Sequence, residues 1–151
     1  MSISNYMKDE HRECDTLFAK AEEAVALGEW EVAEERFLAF SNETLLHFSK
    51  EEDELFPAFE KQTGMTEGPT KVMRHEHEQV RGIIEKMAKA LETKDKDAYL
   101  SLAEAAMILL QQHNMKEEQM LYAMCDRVLP VDVKEKTLEI MKNMSTNHTS
   151  T

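Results

Sequence analysis

The sequence predicts an all-α protein, an antiparallel up-down-up-down four-helix bundle with a short C-terminal fifth helix. Three observations predict it. Only four Gly and three Pro interrupt 151 residues rich in Ala, Leu, Met, Glu and Lys, a composition that favours long helices with few breaks. Apolar residues recur at helical spacing, and no β-type alternation stands out. The periodic segments are four long ones joined by short connections, which pack most readily as antiparallel neighbours. A chain of this length is expected to form a single domain around one core.

The first helix is expected over about 5 to 27, closed by the turn at Leu27-Gly28-Glu29, and the second over about 31 to 61. Gly64, Gly68 and Pro69 break the chain in the loop QTGMTEGP. The third helix follows over about 70 to 92, the polar stretch TKDKD turns the chain, and the fourth covers about 97 to 126 until Pro130 forbids continuation. A fifth, shorter helix over about 131 to 144 carries Val133, Ile140 and Met144 at helical spacing, and the tail STNHTST, with His148, is expected to fray into solvent.

Charge excludes some partners. Lys+Arg 18 against Asp+Glu 30 gives a formal net charge of -12, which repels phosphate backbones and anionic lipid, so neither nucleic acid nor a membrane surface is expected. The start MSISNYMKDE has no basic and apolar signal regions, and no apolar run is long enough to span a bilayer, which points to the cytoplasm. Cys14 and Cys125 fall far apart by helical rise and are expected to stay as thiols in a reducing compartment.

At about 100° per residue, each histidine can be placed relative to its helix's apolar stripe. His11 lies in line with Cys14, Phe18, Ala21 and Val25, while Asp15 falls at the stripe's edge. In the second helix the stripe runs through Phe37, Phe40, Thr44, Leu55 and Ala58, with His47 and Glu51 in its middle. In the third, Met73, Val80, Ile84, Met87 and Leu91 flank His77, whereas His75 shares a polar face. In the fourth, Leu102, Ala106, Leu109, Leu110, Met120 and Met124 bracket His113 and Glu117, with Glu118 outside the arc. Four histidines and two glutamates therefore face inward, at least one from every helix.

A repeat sets their depth. His11 to His47 is 36 residues, His77 to His113 is also 36, and in each pair the second histidine opens His-x-x-x-Glu. From His11 to Gly28 is 17 residues and from Gly28 to His47 is 19; the second hairpin, turning near Lys94, repeats both figures, so partners are level to within one helical turn of about 5.4 Å. Two such hairpins about a pseudo-two-fold gather four imidazoles and two carboxylates into one layer. Burying carboxylates without a compensating cation costs several kcal/mol each, and metal supplies the positive charge. Imidazole plus carboxylate without a set of thiolates suits iron or manganese, with zinc a possible substitute. Six ligands from four helices are too many for one zinc and suit two metals bridged by carboxylates.

The segments EHRECDTL around His11, HFSKEEDELFP around His47, RHEHEQVR around His77 and HNMKEEQMLY around His113 resemble, in that order, the hemerythrin-like histidine-histidine-glutamate cation-binding family. The resemblance spans roughly residues 5 to 126. It implies a non-haem di-iron centre with His11, His47, His77 and His113 as terminal ligands and Glu51 and Glu117 bridging. Oxygen-carrying members have a fifth histidine four residues from the third-helix ligand, where this chain has Met73 and Arg81, and usually a fourth-helix carboxylate at the position of Glu118. Four histidines with two glutamates instead resemble the group that includes the di-iron proteins for repair of iron-sulfur centres. That group usually carries a cysteine-containing N-terminal segment, which is not seen here. If each iron takes about six ligands, a shared oxo or hydroxo bridge leaves about one open position per iron for a small diatomic or peroxide.

Three functions follow. The favoured expectation is a di-iron protein that binds or senses O2, NO or peroxide, or supplies iron in oxidative or nitrosative stress repair, with iron-sulfur proteins as potential partners. A di-iron enzyme, a peroxidase or NO reductase, is the second, though no proton donor or substrate pocket stands out in the sequence. A metal-free helical interaction module is the third. Cys14 is either a redox-sensitive neighbour of the metal or a small core residue.

Overall fold

The structure is a computed structural model that describes residues 1–145, and among these every regular element is helical. Most of the STNHTST tail, with His148, lies outside the described residues. Helix α1 spans Ile3–Ala26, and α2, Trp30–Lys50, continues through a π-helical turn at Glu51–Leu55 into α3, Phe56–Thr63. Helix α4 spans Pro69–Glu92; α5, Lys96–Lys116, continues through a second π turn at Glu117–Leu121 into α6, Tyr122–Val128. Helix α7, Val131–Asn143, completes the order.

Contacts run α1 to α2, α2 to α4, α4 to α5 and α5 back to α1, which closes the four rods into the expected antiparallel bundle. No described helix is long and apolar enough to cross a membrane. The first helix starts two residues earlier than periodicity suggests because Ser2 caps it, accepting from the Asn5 amide at 3.0 Å. Asp126 reaches across from α6 and accepts from the amides of Ile3 and Ser4, placing a carboxylate at the positive end of α1. The two hairpin turns are built alike: Gly28 at φ 72° and Lys94 at φ 55° each take the left-handed position that stops the preceding helix. A glycine relieves that position at the first turn; at the second, a lysine occupies it.

The core has two apolar clusters. One, toward the hairpin turns, holds Phe18, Phe37, Phe40, Phe48, Ile84, Met87 and Tyr99. The other, toward the termini, holds Ile3, Met7, Leu55, Phe56, Leu121, Tyr122 and Met141. The inward-facing histidines and glutamates form the layer between them.

Two expectations about facing are corrected. Met120 is 60% exposed and Met124 and Ala58 only half-buried, while Leu121, Tyr122, Cys125, Phe56 and Phe59 are buried in their place. The cause is the π turn: Tyr122 bonds back to Glu117 and Phe56 to Glu51, five residues each, so every later side chain advances by one position. In α7, the face toward the bundle is Thr137, Leu138 and Met141, whereas Ile140 is exposed and Val133 and Met144 half-buried. Cys125 lies in the second cluster; Cys14 is half-buried, belongs to neither, and both cysteines are free thiols.

Candidate metal centre

The six inward side chains converge. His11 comes from the middle of α1, His47 from the end of α2, His77 from α4 and His113 from the end of α5, and Glu51 and Glu117 open the two π turns. Each π turn begins one helical turn past its histidine, so His47 and Glu51, and likewise His113 and Glu117, face the same way just before the register slips. All six are buried, Glu51, His77 and Glu117 with 0% exposure. His75 is exposed, as its helical phase predicts.

The four Nε2 atoms surround the two carboxylates. His11 Nε2 is 3.0 Å from Glu117 Oε1, His77 Nε2 is 3.0 Å from Glu51 Oε1, and His113 Nε2 is 3.3 Å from Glu117 Oε2. His47 Nε2 lies 3.5 Å from Glu51 Oε1. Each carboxylate thus offers oxygens to more than one histidine pair.

The far side of every ring is held by another carboxylate. His11 Nδ1 bonds Glu118 at 2.6 Å, His47 Nδ1 bonds Glu10 at 2.9 Å, His77 Nδ1 bonds Glu52 at 2.6 Å, and His113 Nδ1 bonds Glu76 at 2.7 Å. An ionised carboxylate only accepts, so each Nδ1 carries the hydrogen, which leaves each Nε2 as the ring nitrogen that could offer its lone pair to a cation at the centre. This is the arrangement that fixes ring orientation and tautomer in metal-binding histidines. Three of these acids are themselves paired: Glu10 with Lys50, Glu76 with Lys116 and Glu52 with Arg81.

The arrangement follows the pseudo-two-fold. The acid just before His11 serves His47 and the acid just before His77 serves His113; the acid just after Glu117 serves His11 and the acid just after Glu51 serves His77. The sequence carries the signal twice, as His-x-x-Lys-Glu-Glu at 47–52 and 113–118, and as Glu-His at 10–11 and 76–77. These four supporting glutamates were not singled out by helical phase. Glu118 is accordingly the partner of His11, and Glu117 is the carboxylate in the centre.

Tyr122, which helical phase left unassigned, also reaches the centre. Its hydroxyl donates to Glu51 Oε2 at 2.6 Å or Glu117 Oε1 at 2.8 Å and lies 3.1 Å from His11 Nε2. On the other side, Phe48 stacks on His77 with ring centroids 3.9 Å apart.

Protonation shows how strained the cluster is on its own. Burial alone would lower His47, but Glu51, Glu10 and Glu117 outweigh it and raise it well above the ordinary histidine value. Against burial, Glu117, Glu51 and Glu52 carry His77 up to about 10. Burial and then Glu117 push Glu51 up, whereas His113 and His11 overcome burial to hold Glu117 well below the carboxylate range. Burial would raise Glu10 too, yet His47 and Lys50 hold it at about 2.

The donor set fits cations. Glu51 Oε1, Glu117 Oε2, His77 Nε2 and His113 Nε2 are fully buried and make no hydrogen bond. Buried polar atoms without partners are costly unless something else binds them. Two overlapping groups of ligand atoms lie within 4.8 Å of one another: Glu51, His77, His113 and Glu117, and His11, His47 and Glu117. Imidazole nitrogen with carboxylate oxygen, without thiolate, is the chemistry of a borderline transition metal.

Comparison with curated proteins and with solved structures returns no match. The model of the Hemerythrin HHE cation binding domain matches residues 2–125, which contain all six converging side chains and their supporting glutamates. The chain belongs to the hemerythrin HHE cation-binding domain family and is a metal-binding helical protein.

Proposed function

We propose that the protein is a non-haem di-iron protein whose centre binds or senses O2, NO or peroxide, or supplies iron during repair of oxidative or nitrosative damage in the cytoplasm. His11 and His47 would hold one iron, His77 and His113 the other, and Glu51 and Glu117 would bridge them. The observation that carries this reading is the convergence of four Nε2 atoms on two buried carboxylates, with each ring locked at Nδ1 by a further glutamate.

When bound, the metal pair supplies redox-active, incompletely saturated positions for a small ligand. The chain's own residues do the rest. The glutamates at Nδ1 orient the rings and raise their basicity. The two apolar clusters above and below the layer exclude water and strengthen the electrostatic interactions inside it. Glu51 and Glu117 would offset two of the four positive charges of a ferrous pair.

Anaerobic loading with ferrous iron, followed by metal analysis and thermal unfolding, tests the reading. About two irons per chain are expected, with a rise in melting temperature from selective binding to the folded state. Both are expected to vanish in His47→Ala and Glu51→Ala. Wild type that retains no iron, or variants that retain it unchanged, would overturn the di-iron assignment. The reduced, loaded protein should change its absorption under O2 or NO; no change under either contradicts the small-ligand reading.

A further inference from the structure

The Tyr122 hydroxyl stands where His11, His47, Glu51 and Glu117 meet. It lies 2.6 Å from Glu51 Oε2, 2.8 Å from Glu117 Oε1, 3.1 Å from His11 Nε2 and 3.4 Å from His47 Nε2. His11 Nε2 is 3.0 Å from Glu117 Oε1, and His47 Nε2 is 4.0 Å from that same oxygen. Donors bonded at about 2.1 Å in an octahedron sit about 3.0 Å apart when adjacent and about 4.2 Å when opposite. The distances here follow that pattern: those from the Tyr122 hydroxyl suit adjacent donors, and the 4.0 Å between His47 Nε2 and Glu117 Oε1 suits an opposite pair.

The two halves of the bundle differ at this point. Tyr122 lies nine residues after His113, and its counterpart nine residues after His47 is Phe56, stacked near His77 at 5.7 Å between ring centroids. The duplicated hairpins thus present a phenol oxygen on the His11 and His47 side and a phenyl ring on the other. A buried tyrosine hydroxyl needs a polar partner, and among the described residues this one finds only the atoms of the centre.

We propose that Tyr122 is a fifth protein ligand, binding through its phenolate oxygen the iron held by His11 and His47. The inference rests on the di-iron reading above. As the iron–oxygen bond forms, the phenol O–H bond breaks and its proton passes to the buffer; no electron is transferred. The pair is then unequal. The iron at His11 and His47 has five protein donors, while that at His77 and His113 has four and keeps the position for a small ligand.

The protein, loaded anaerobically with ferrous iron and then oxidised, is expected to show a phenolate-to-iron charge-transfer band in the visible. Resonance Raman excited in that band should show tyrosinate ring modes, which shift when the protein is made with ring-deuterated tyrosine. Tyr122→Phe should lose band and modes while keeping its iron and helical circular dichroism; Tyr6→Phe should keep them. Phe56 shows that a phenyl ring fits the equivalent place, and the labelled wild type decides the matter even if the variant does not fold. Iron-loaded wild type without tyrosinate modes, or Tyr122→Phe with them, overturns the ligand role alone. Wild type that binds no iron overturns both this inference and the reading on which it rests.

Discussion

Each imidazole of the centre turns its Nε2 toward a central carboxylate and is held at Nδ1 by a second one, and the two have different work to do. Glu117 is fully buried among the histidines, while its neighbour Glu118 stands behind His11 with about a third of its side chain in solvent. If Glu117 bridges as proposed, removing it deletes a metal donor, whereas neutralising Glu118 only loosens a ring. Glu117→Ala is therefore expected to abolish metal retention, and Glu118→Gln to weaken metal affinity about 10–100-fold with circular dichroism unchanged, both read by competition with a chelator. The opposite ranking would make Glu118 the ligand. The distinction between these neighbours was legible in the sequence, since helical phase places Glu117 on the apolar stripe and Glu118 off it. The role of Glu118 was not, because helical phase says which residues face the core and nothing about what an off-stripe acid meets on the next helix.

The π turns at Glu51–Leu55 and Glu117–Leu121 explain where reading by a 3.6-residue period ends. Up to each turn the period places Phe37, Phe40, Thr44 and His47, and Ala106, Leu110 and His113, in the interior, while Leu109 is half-buried. Past it, the extra residue rotates the frame, so that Leu121 rather than Met120 enters the core and Tyr122 swings under the histidines. Local propensity marks nothing at Glu-Glu-Asp-Glu-Leu or Glu-Glu-Gln-Met-Leu; the slip reflects tertiary packing around the charged layer. Leu121→Ala should cost about 2–5 kcal/mol in urea unfolding of the metal-free protein, whereas Met120→Lys should stay within about 0.5 kcal/mol. Similar losses at both positions would mean that the helix runs on unbroken. The fifth helix eluded its expected face for a simpler reason: six apolar residues over 131–144 fit more than one stripe, and packing against the π turn at Glu51–Leu55 decides among them.

At the scale of the molecule, a duplicated helical hairpin is the organising feature. The matched spacings place four histidines level and bring two carboxylates between them, and two apolar clusters seal the layer from both ends. Composition and periodicity were enough to foresee the bundle, and the repeat was enough to foresee the layer, because both depend on geometry along a rigid rod. Sidedness was beyond that reach: the duplication is exact in the histidines but breaks at Tyr122 against Phe56 and at Arg81 against Asp15, and only packing shows which of these enter the centre. The central claim is that a pair of metal ions neutralises this buried layer. Anomalous diffraction at the iron edge from crystals of the loaded protein tests it most directly. Two peaks are predicted, one between His11 and His47 and one between His77 and His113, each in reach of Glu51 and Glu117; density confined to surface carboxylates, with the histidine layer free of metal, would contradict it.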